Sequence, residues 1–187
     1  MFDFIKKIFN ENSSKQEDKI DDEIIHKEEI EIKFFDRMLN ENEYLCGEKR
    51  DKIFDRFSHK TNSEDETQLT KEEKQELGLN VRMKITKEFI DLFDKNKLKE
   101  INPKHIYEQF YVSVISRINT EISVLKLKNA DIKEIELNTE LGDCDWCKEL
   151  NNIILPTEEV LKLVQNPQCT CRYLLNARPI IEFNEDN

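Results

Sequence analysis

Four of the five cysteines in this 187-residue chain lie in its last quarter. They form two closely spaced pairs, with Cys144 and Cys147 in a Cys-x-x-Cys arrangement and Cys169 and Cys171 in a Cys-x-Cys arrangement. Two thiolates on one tight turn can bind the same metal ion, and a second pair completes the four sulfur ligands of a structural zinc site. The spacing therefore predicts a structural Zn²⁺ site with these four cysteines as its ligands.

The residues alone leave three other states of these thiols open. The four could be reduced and packed, joined in disulfides, or used as a redox pair, although no thioredoxin-like strand leads into Cys144. Gly142 and Asp143 fit a turn whose amides point at the sulfurs. Cys46 stands apart from the other cysteines and is interpreted as a half-buried, small apolar residue.

Other signs of catalysis are scarce in the sequence. Four protein ligands leave no open coordination position for a substrate, so the zinc would be structural. The chain has no Gly-rich phosphate loop, no His-Glu-x-x-His and no nucleophile elbow. Its three histidines, His26, His59 and His105, are far from the cysteines in sequence. We therefore predict that the protein is not an enzyme.

A long helix is predicted to lead into the cysteine region. Asn102 followed by Pro103 marks a helix start, because proline at the first helical position loses no hydrogen bond. Apolar residues then recur at spacings of three and four from Tyr107 to Leu125, which predicts an amphipathic helix. The helix is expected to end near Asn129, in the left-handed cap position.

Short elements are predicted around the two cysteine pairs. Residues 131–141 favour a strand, residues 156–167 favour a short helix with Thr157 as its cap, and residues 171–183 favour one or two strands. Together with the long helix, these elements predict a compact α+β domain over residues 81–187.

Residues 1–80 are predicted to form an acidic arm that is mostly helical or partly disordered. This segment carries most of the net charge of −11. A helical stripe is predicted through Ile25, Ile32, Phe35 and Leu39, and a shorter one through Ile53, Phe54 and Phe57. Helix caps are predicted at Thr70, where Glu73 completes a capping box and Gly78 ends the helix, and at Thr86.

The charge and hydropathy patterns limit the classes of partner. An acidic chain is a poor candidate for general nucleic-acid binding, because that affinity comes mainly from Lys and Arg neutralising phosphates. No apolar run reaches the length of a membrane span. Residues 1–10 are too short and too charged for a secretion signal, and their amphipathic pattern predicts at most a weak membrane or partner contact. The sequence predicts a cytoplasmic protein with reduced cysteines, and does not indicate an oligomeric state.

A set of residues surrounds the cysteines in a recognisable order. Its members are Arg117, Thr120 and Glu121 in the long helix, Thr139 at the strand end, Leu150, Asn151 and Asn152 at a turn, and the four cysteines. In this order and spacing, residues 116–181 resemble the C-terminal domain of Mu F-like phage minor head, or head-morphogenesis, proteins. Asn166, Pro167 and Gln168 stand where that family has His-Pro-Asn, and Thr170 stands where it has Arg.

The resemblance implies a structural protein of a phage head. Its partners would be proteins of a capsid or portal assembly, contacted through the acidic arm, and a phage-encoded chain would be associated with the virion. Two other classes stay open. One is a host or prophage zinc-stabilised adaptor or regulator that binds protein or nucleic acid, and the other is a small toxin or enzyme with a carboxylate site.

Overall fold

The computed structural model describes residues 26–59, 66–139, 142, 144–169 and 175–180, and this part of the chain has the predicted α+β class. The helices are α1, of which residues 26–41 are described, α2 (Arg50–Phe57), α3 (Lys71–Glu76), α4 (Lys87–Ile90), α5 (Pro103–Asn129), α6 (Asp145–Leu150) and α7 (Thr157–Gln165). The strands are β1 (Glu134–Asn138), β2 (Ile153–Pro156) and β3 (Asn176–Pro179). The predicted contact segment 1–10 and Ile25 lie outside the described residues.

The short helices begin at the predicted caps. Thr70 Oγ1 accepts a hydrogen bond from the Glu73 amide, and the Glu73 carboxylate accepts one from the Thr70 amide, which completes the capping box of α3. Gly78, with φ of +72°, follows the end of this helix. Thr86 caps α4 through its side chain alone, which accepts from the Phe89 amide. Local side-chain chemistry therefore fixes where these helices begin.

An aromatic core joins α1 to α2 and α5. Phe34 and Phe35 of α1 are fully buried, and the Phe35 ring lies 4.9 Å from that of Phe54, 5.5 Å from Phe57 and 5.6 Å from Phe110 between centroids. Each such aromatic pair adds roughly 0.5–1.5 kcal/mol beyond the area that it buries. One hydrophobic cluster thus contains residues from both sides of residue 80, where the sequence predicts a domain boundary. That boundary stays a prediction.

Helix α5 connects this core to the carboxyl-terminal part of the chain. Asn102 Oδ1 accepts from the amides of Lys104 and His105, as expected of an N-cap. Phe110 near the start of the helix packs in the aromatic core, whereas Val124 near its end packs in a second cluster with the sheet and α7. No helix in the described ranges, α5 included, is both long enough and apolar enough to cross a membrane.

The sheet has the order β2–β1–β3 and is antiparallel throughout. The central strand β1 matches the predicted strand, and its Ile135 and Leu137 are fully buried in the second cluster. Ile135 pairs with Leu155 of β2 and with Pro179 of β3. Strand β2 was not expected from the sequence, and its Ile153 and Ile154 are exposed.

Three expectations about single residues are wrong. Ile32 is 44% exposed, and it is Ile30 and Phe34 that complete the buried face of α1. Thr157 does not cap α7, because Pro156 occupies the cap position and Thr157 Oγ1 donates to the Ile132 carbonyl oxygen instead. The left-handed position after α5 belongs to Asp131, with φ of 59°, and not to Asn129.

Candidate metal centre

The structure brings together three of the four predicted metal ligands. Cys144 precedes the first turn of α6, Cys147 lies in α6, and Cys169 lies in the segment after α7. The Sγ atom of Cys169 is 3.8 Å from that of Cys144 and 3.5 Å from that of Cys147, and all three sulfurs lie within 4.8 Å of one another. Cys171, the fourth predicted ligand, lies outside the described residues.

The sulfur separations suit a shared metal ion. A disulfide bond holds its two sulfurs about 2.05 Å apart, much closer than either of these two sulfur pairs. Two sulfurs that each lie about 2.3 Å from one zinc ion, at a tetrahedral angle, are about 3.8 Å apart. The three cysteines could therefore bind a metal ion without a large movement of their side chains. Among the residues that the structure describes, they are the group of potential ligands whose atoms converge in this way.

The cluster lies at the edge of the second hydrophobic cluster. Cys147 is fully buried, Cys169 is 5% exposed, and Cys144 is half-buried. Trp146, the single tryptophan of the chain, is half-buried, and in sequence it lies between the two cysteines of the first pair. Burial of Cys147 and Cys169 separates their sulfurs from bulk water.

Gly142 leaves room for the first cysteine pair. A Cβ atom on Gly142 would lie 2.4 Å from Cys147 Cβ and 2.7 Å from Cys147 Sγ, both closer than van der Waals contact allows. The Gly142 amide donates to the Thr139 carbonyl oxygen at 2.7 Å, so the prediction that this amide points at a sulfur is wrong. Asp143, the other residue of the predicted turn, lies outside the described residues.

Thr139 ties the end of β1 to the helix that carries Cys147. Its side chain is 1% exposed, and Oγ1 donates to the Cys147 carbonyl oxygen. Its amide donates to Asn151 Oδ1 at 2.9 Å, while the Asn152 amide donates to the Leu137 carbonyl oxygen at 2.8 Å. The strand end and the turn after α6 are therefore fastened to each other beside the cysteines.

Arg117 and Thr120 of α5 fasten the other side of the cluster. Arg117 is 2% exposed and donates to the Ser113 carbonyl oxygen at 3.0 Å and, more weakly, to the Cys169 carbonyl oxygen at 3.4 Å. Thr120 Oγ1 lies 3.2 Å from the Leu175 carbonyl oxygen. These two side chains thus contact the chain before and after the segment 170–174, which lies outside the described residues.

Two basic residues of α1 also contact this end of the molecule. Lys33 Nζ lies 2.5 Å from a carboxylate oxygen of Glu121, which is 2% exposed. Arg37 Nη2 donates to the Pro167 carbonyl oxygen at 2.6 Å. No local signal in the sequence points to Lys33 or Arg37, because 88 and 130 residues separate the members of these pairs.

A second polar cluster, also missed from the sequence, lies between α2 and α4. Arg56 forms a two-pronged ion pair with Glu66, and Thr86 Oγ1 donates to the same carboxylate at 2.7 Å. The Arg56 guanidinium and the Thr86 hydroxyl hold the pKa of Glu66 below its ordinary value, against the opposing effect of burial. Arg56 and Glu66 border a groove of about 750 Å³. Because the Glu66 carboxylate is fully engaged in these contacts, we assign it a structural role.

Comparison of the chain with protein-family models, with curated proteins and with solved structures finds no match. The resemblance to minor head proteins therefore stays a prediction, carried by the motif residues. Four polar members of the motif, Arg117, Thr120, Glu121 and Thr139, are buried, at 7% exposure or less.

Proposed function

We propose that this protein is a non-enzymatic structural and interaction protein similar to phage minor head proteins, with a carboxyl-terminal domain stabilised by zinc. The observation that carries the proposal is the convergence of Cys144, Cys147 and Cys169 at separations that suit one metal ion. Its support comes from the buried polar residues around the cluster, which stand at the positions of the family motif.

In this proposal Cys171 supplies the fourth sulfur. Cys169 and Cys171 are separated by one residue, so a single short segment can present both thiolates to the same ion. A site with four thiolate ligands favours zinc and has no open position for a substrate, so its effect is to stabilise the fold. Folding and metal binding would then be one linked equilibrium.

The partners in this proposal are proteins. The chain carries a net charge of −11, most of it in residues 1–80, which suits contact with basic surfaces of a capsid or portal assembly and disfavours contact with packaged DNA.

The proposed location is the cytoplasm, and the virion for a phage-encoded chain. A place in a virion predicts that capsid and portal genes lie beside the gene for this protein and that purified particles contain its peptides. A neighbourhood without such genes would contradict the phage assignment.

Cysteine substitutions test the metal-stabilised domain. Cys147→Ser and Cys169→Ser should each unfold the carboxyl-terminal domain and lower the melting temperature strongly, because each removes a buried ligand from a linked folding and binding equilibrium. Cys46→Ser is the matched control, since Cys46 is half-buried and apart from the cluster, and it should change little. Thermal melts by circular dichroism measure all three. Equal stability of the three variants would contradict the proposal.

A further inference from the structure

We propose that metal occupancy of the cysteine cluster controls how firmly helix α1 is held against the carboxyl-terminal part of the chain. The inference rests on the metal binding proposed above and adds a regulatory consequence to it. Its basis is the contact between α1 and the segment that carries Cys169.

The central contact is the hydrogen bond from Arg37 to the Pro167 carbonyl oxygen, at 2.6 Å. Arg37 is oriented for it by a second bond, from its Nε to Glu41 Oε1 at 2.9 Å one turn further along α1. Pro167 is buried and lies two residues before Cys169. A charged donor makes this a stronger bond than one between two neutral groups.

The position of the Pro167 carbonyl depends on Cys169. Residues 167–169 have no regular secondary structure, so no helix or strand ladder fixes their backbone. The Arg117 contact to the Cys169 carbonyl oxygen is long, at 3.4 Å. A bond from Cys169 Sγ to an ion that is also bound by Cys144 and Cys147 would fasten this segment to α6. It would keep the Pro167 carbonyl within reach of Arg37.

Among the helices that meet in the aromatic core, loss of the ion would act on α1 through Pro167 and on α5 through the Arg117 contact to Cys169, and not on α2. The Pro167 carbonyl would become mobile and Arg37 would lose a fixed acceptor. Helix α1 would keep its other restraints, among them the Lys33–Glu121 ion pair with α5, the bidentate ion pair of Asp36 with Arg50 of α2, and the burial of Phe34 and Phe35. We therefore infer that α1 loosens locally when the metal leaves, and does not detach. Local opening of α1 would expose apolar side chains of the core, so the metal state would be visible at the surface that α1 covers.

Hydrogen exchange measured by mass spectrometry on the full chain tests the inference. Exchange is compared with one equivalent of Zn²⁺ and with excess chelator, and Trp146 fluorescence reports independently whether zinc binds, because this tryptophan lies between two of the cysteines. Amides of residues 26–41 should exchange about tenfold more slowly with zinc, a factor typical of one hydrogen bond with a charged donor. Amides of α2 should not respond, since α2 shares the aromatic core with α1 but it is Arg37 of α1 that contacts Pro167.

Two matched variants separate this contact from general loosening. Arg37→Gln removes the bond to Pro167, so exchange in residues 26–41 should become the same with and without zinc. Arg50→Gln removes the ion pair that Arg50 of α2 forms with Asp36 of α1. Exchange in residues 26–41 should then be faster both with and without zinc, and zinc should still slow it. If Arg37→Gln does not fold, Arg37→Lys, which keeps the charge with fewer donors, should reduce the response.

The outcomes distinguish the inference from the proposed function. Zinc binding reported by Trp146 with no change in residues 26–41 would overturn the inference and leave the metal site intact. An equal response of α2, or a full zinc response in Arg37→Gln, would also overturn it. No zinc binding at all would overturn both the inference and the metal-stabilised domain.

Discussion

Gly142 shows how closely the backbone approaches the cysteine cluster. Its missing side chain makes room for Cys147, whose Cβ and Sγ atoms occupy the space that a methyl group would need. Neither neighbouring atom can move away easily, because Cys147 is fully buried and its carbonyl oxygen accepts from Thr139. The absence of a side chain at residue 142 is therefore a requirement of the site, as the sulfur ligands are.

Gly142→Ala should therefore destabilise the protein by about 1–3 kcal/mol, the usual cost of forcing an extra methyl group into a packed region. It should also weaken zinc binding, because the added methyl pushes Cys147 Sγ out of place. Gly47→Ala is the control, since nothing lies within 4 Å of a Cβ atom at that position. Denaturant unfolding and competitive zinc titration measure the two effects. Equal stability and zinc affinity in the two variants would show that the close approach at Gly142 does not matter.

Glu66 predicts a dependence of stability on pH. Its pKa is lowered in the folded protein, mainly by Arg56, from an ordinary value of 4.5. A lowered pKa contributes stability that is fully present above the unfolded value and is lost as the pH falls through the folded value. Wild type should thus exceed Glu66→Gln in free energy of unfolding by a constant amount near neutral pH. The difference should shrink below about pH 4.5. Urea unfolding followed by circular dichroism from pH 3 to 7 measures it, and a difference that grows towards low pH would contradict the assignment.

Residue types and spacing were enough to predict the cysteine cluster, but not the residues that support it from α1. Two cysteine pairs about 20 residues apart are a local signal, and the structure brings together the three that it describes. Lys33 and Arg37 reach the site only through tertiary contacts, which span 88 and 130 residues of the chain. Thr157 was misassigned because Pro156 occupies the cap position of α7, and the threonine hydroxyl donates to the Ile132 carbonyl oxygen instead.

At the scale of elements, α5 has the clearest relation between sequence and structure. Its start is set by Asn102 and Pro103, and its 27 residues run from the aromatic core to the cysteine region. The predicted apolar stripe is interrupted by buried Arg117, Thr120 and Glu121. These polar residues face the segment that carries Cys169 and helix α1, and their burial is compensated by hydrogen bonds and an ion pair.

Asn102→Ala tests whether the N-cap stabilises α5. The Asn102 side chain accepts from two otherwise unpaired amides of the first turn, so its removal should cost about 1 kcal/mol. Asn119→Ala on the same helix is the control, because Asn119 is exposed and alanine favours the helix interior. Thermal melts should place Asn102→Ala below wild type and Asn119→Ala at or slightly above it. The reverse order would contradict the capping assignment.

Strand β2 is an element that the sequence does not predict. Its four residues lack an alternation of apolar and polar side chains, and they run directly into α7. The strand is defined by its pairing with β1, in which Leu137 faces Ile153 and Ile135 faces Leu155. Such a pairing is a property of the assembled sheet, so no window of the sequence contains it.

At the scale of the whole molecule, the two hydrophobic clusters are joined along one helix. The first cluster extends from Ile30 to Ile118 and the second from Val124 to Leu175. The domain boundary at residue 80 was predicted where the charge of the chain changes. Phe35 and Phe110 lie on opposite sides of that position in the sequence, and their apolar rings pack against each other. Charge patterns report on solvent-exposed faces, and for that reason they are a poor guide to which segments share a core.

The central claim is that the cysteine cluster is a structural zinc site, and the most direct measurement is the number of zinc ions per chain. Native mass spectrometry of freshly purified protein gives this number, and a thermal melt before and after addition of a chelator shows whether the ion stabilises the fold. We predict one zinc ion per chain and a melting transition that chelation lowers strongly. Protein without bound metal and with an unchanged melt would contradict the claim.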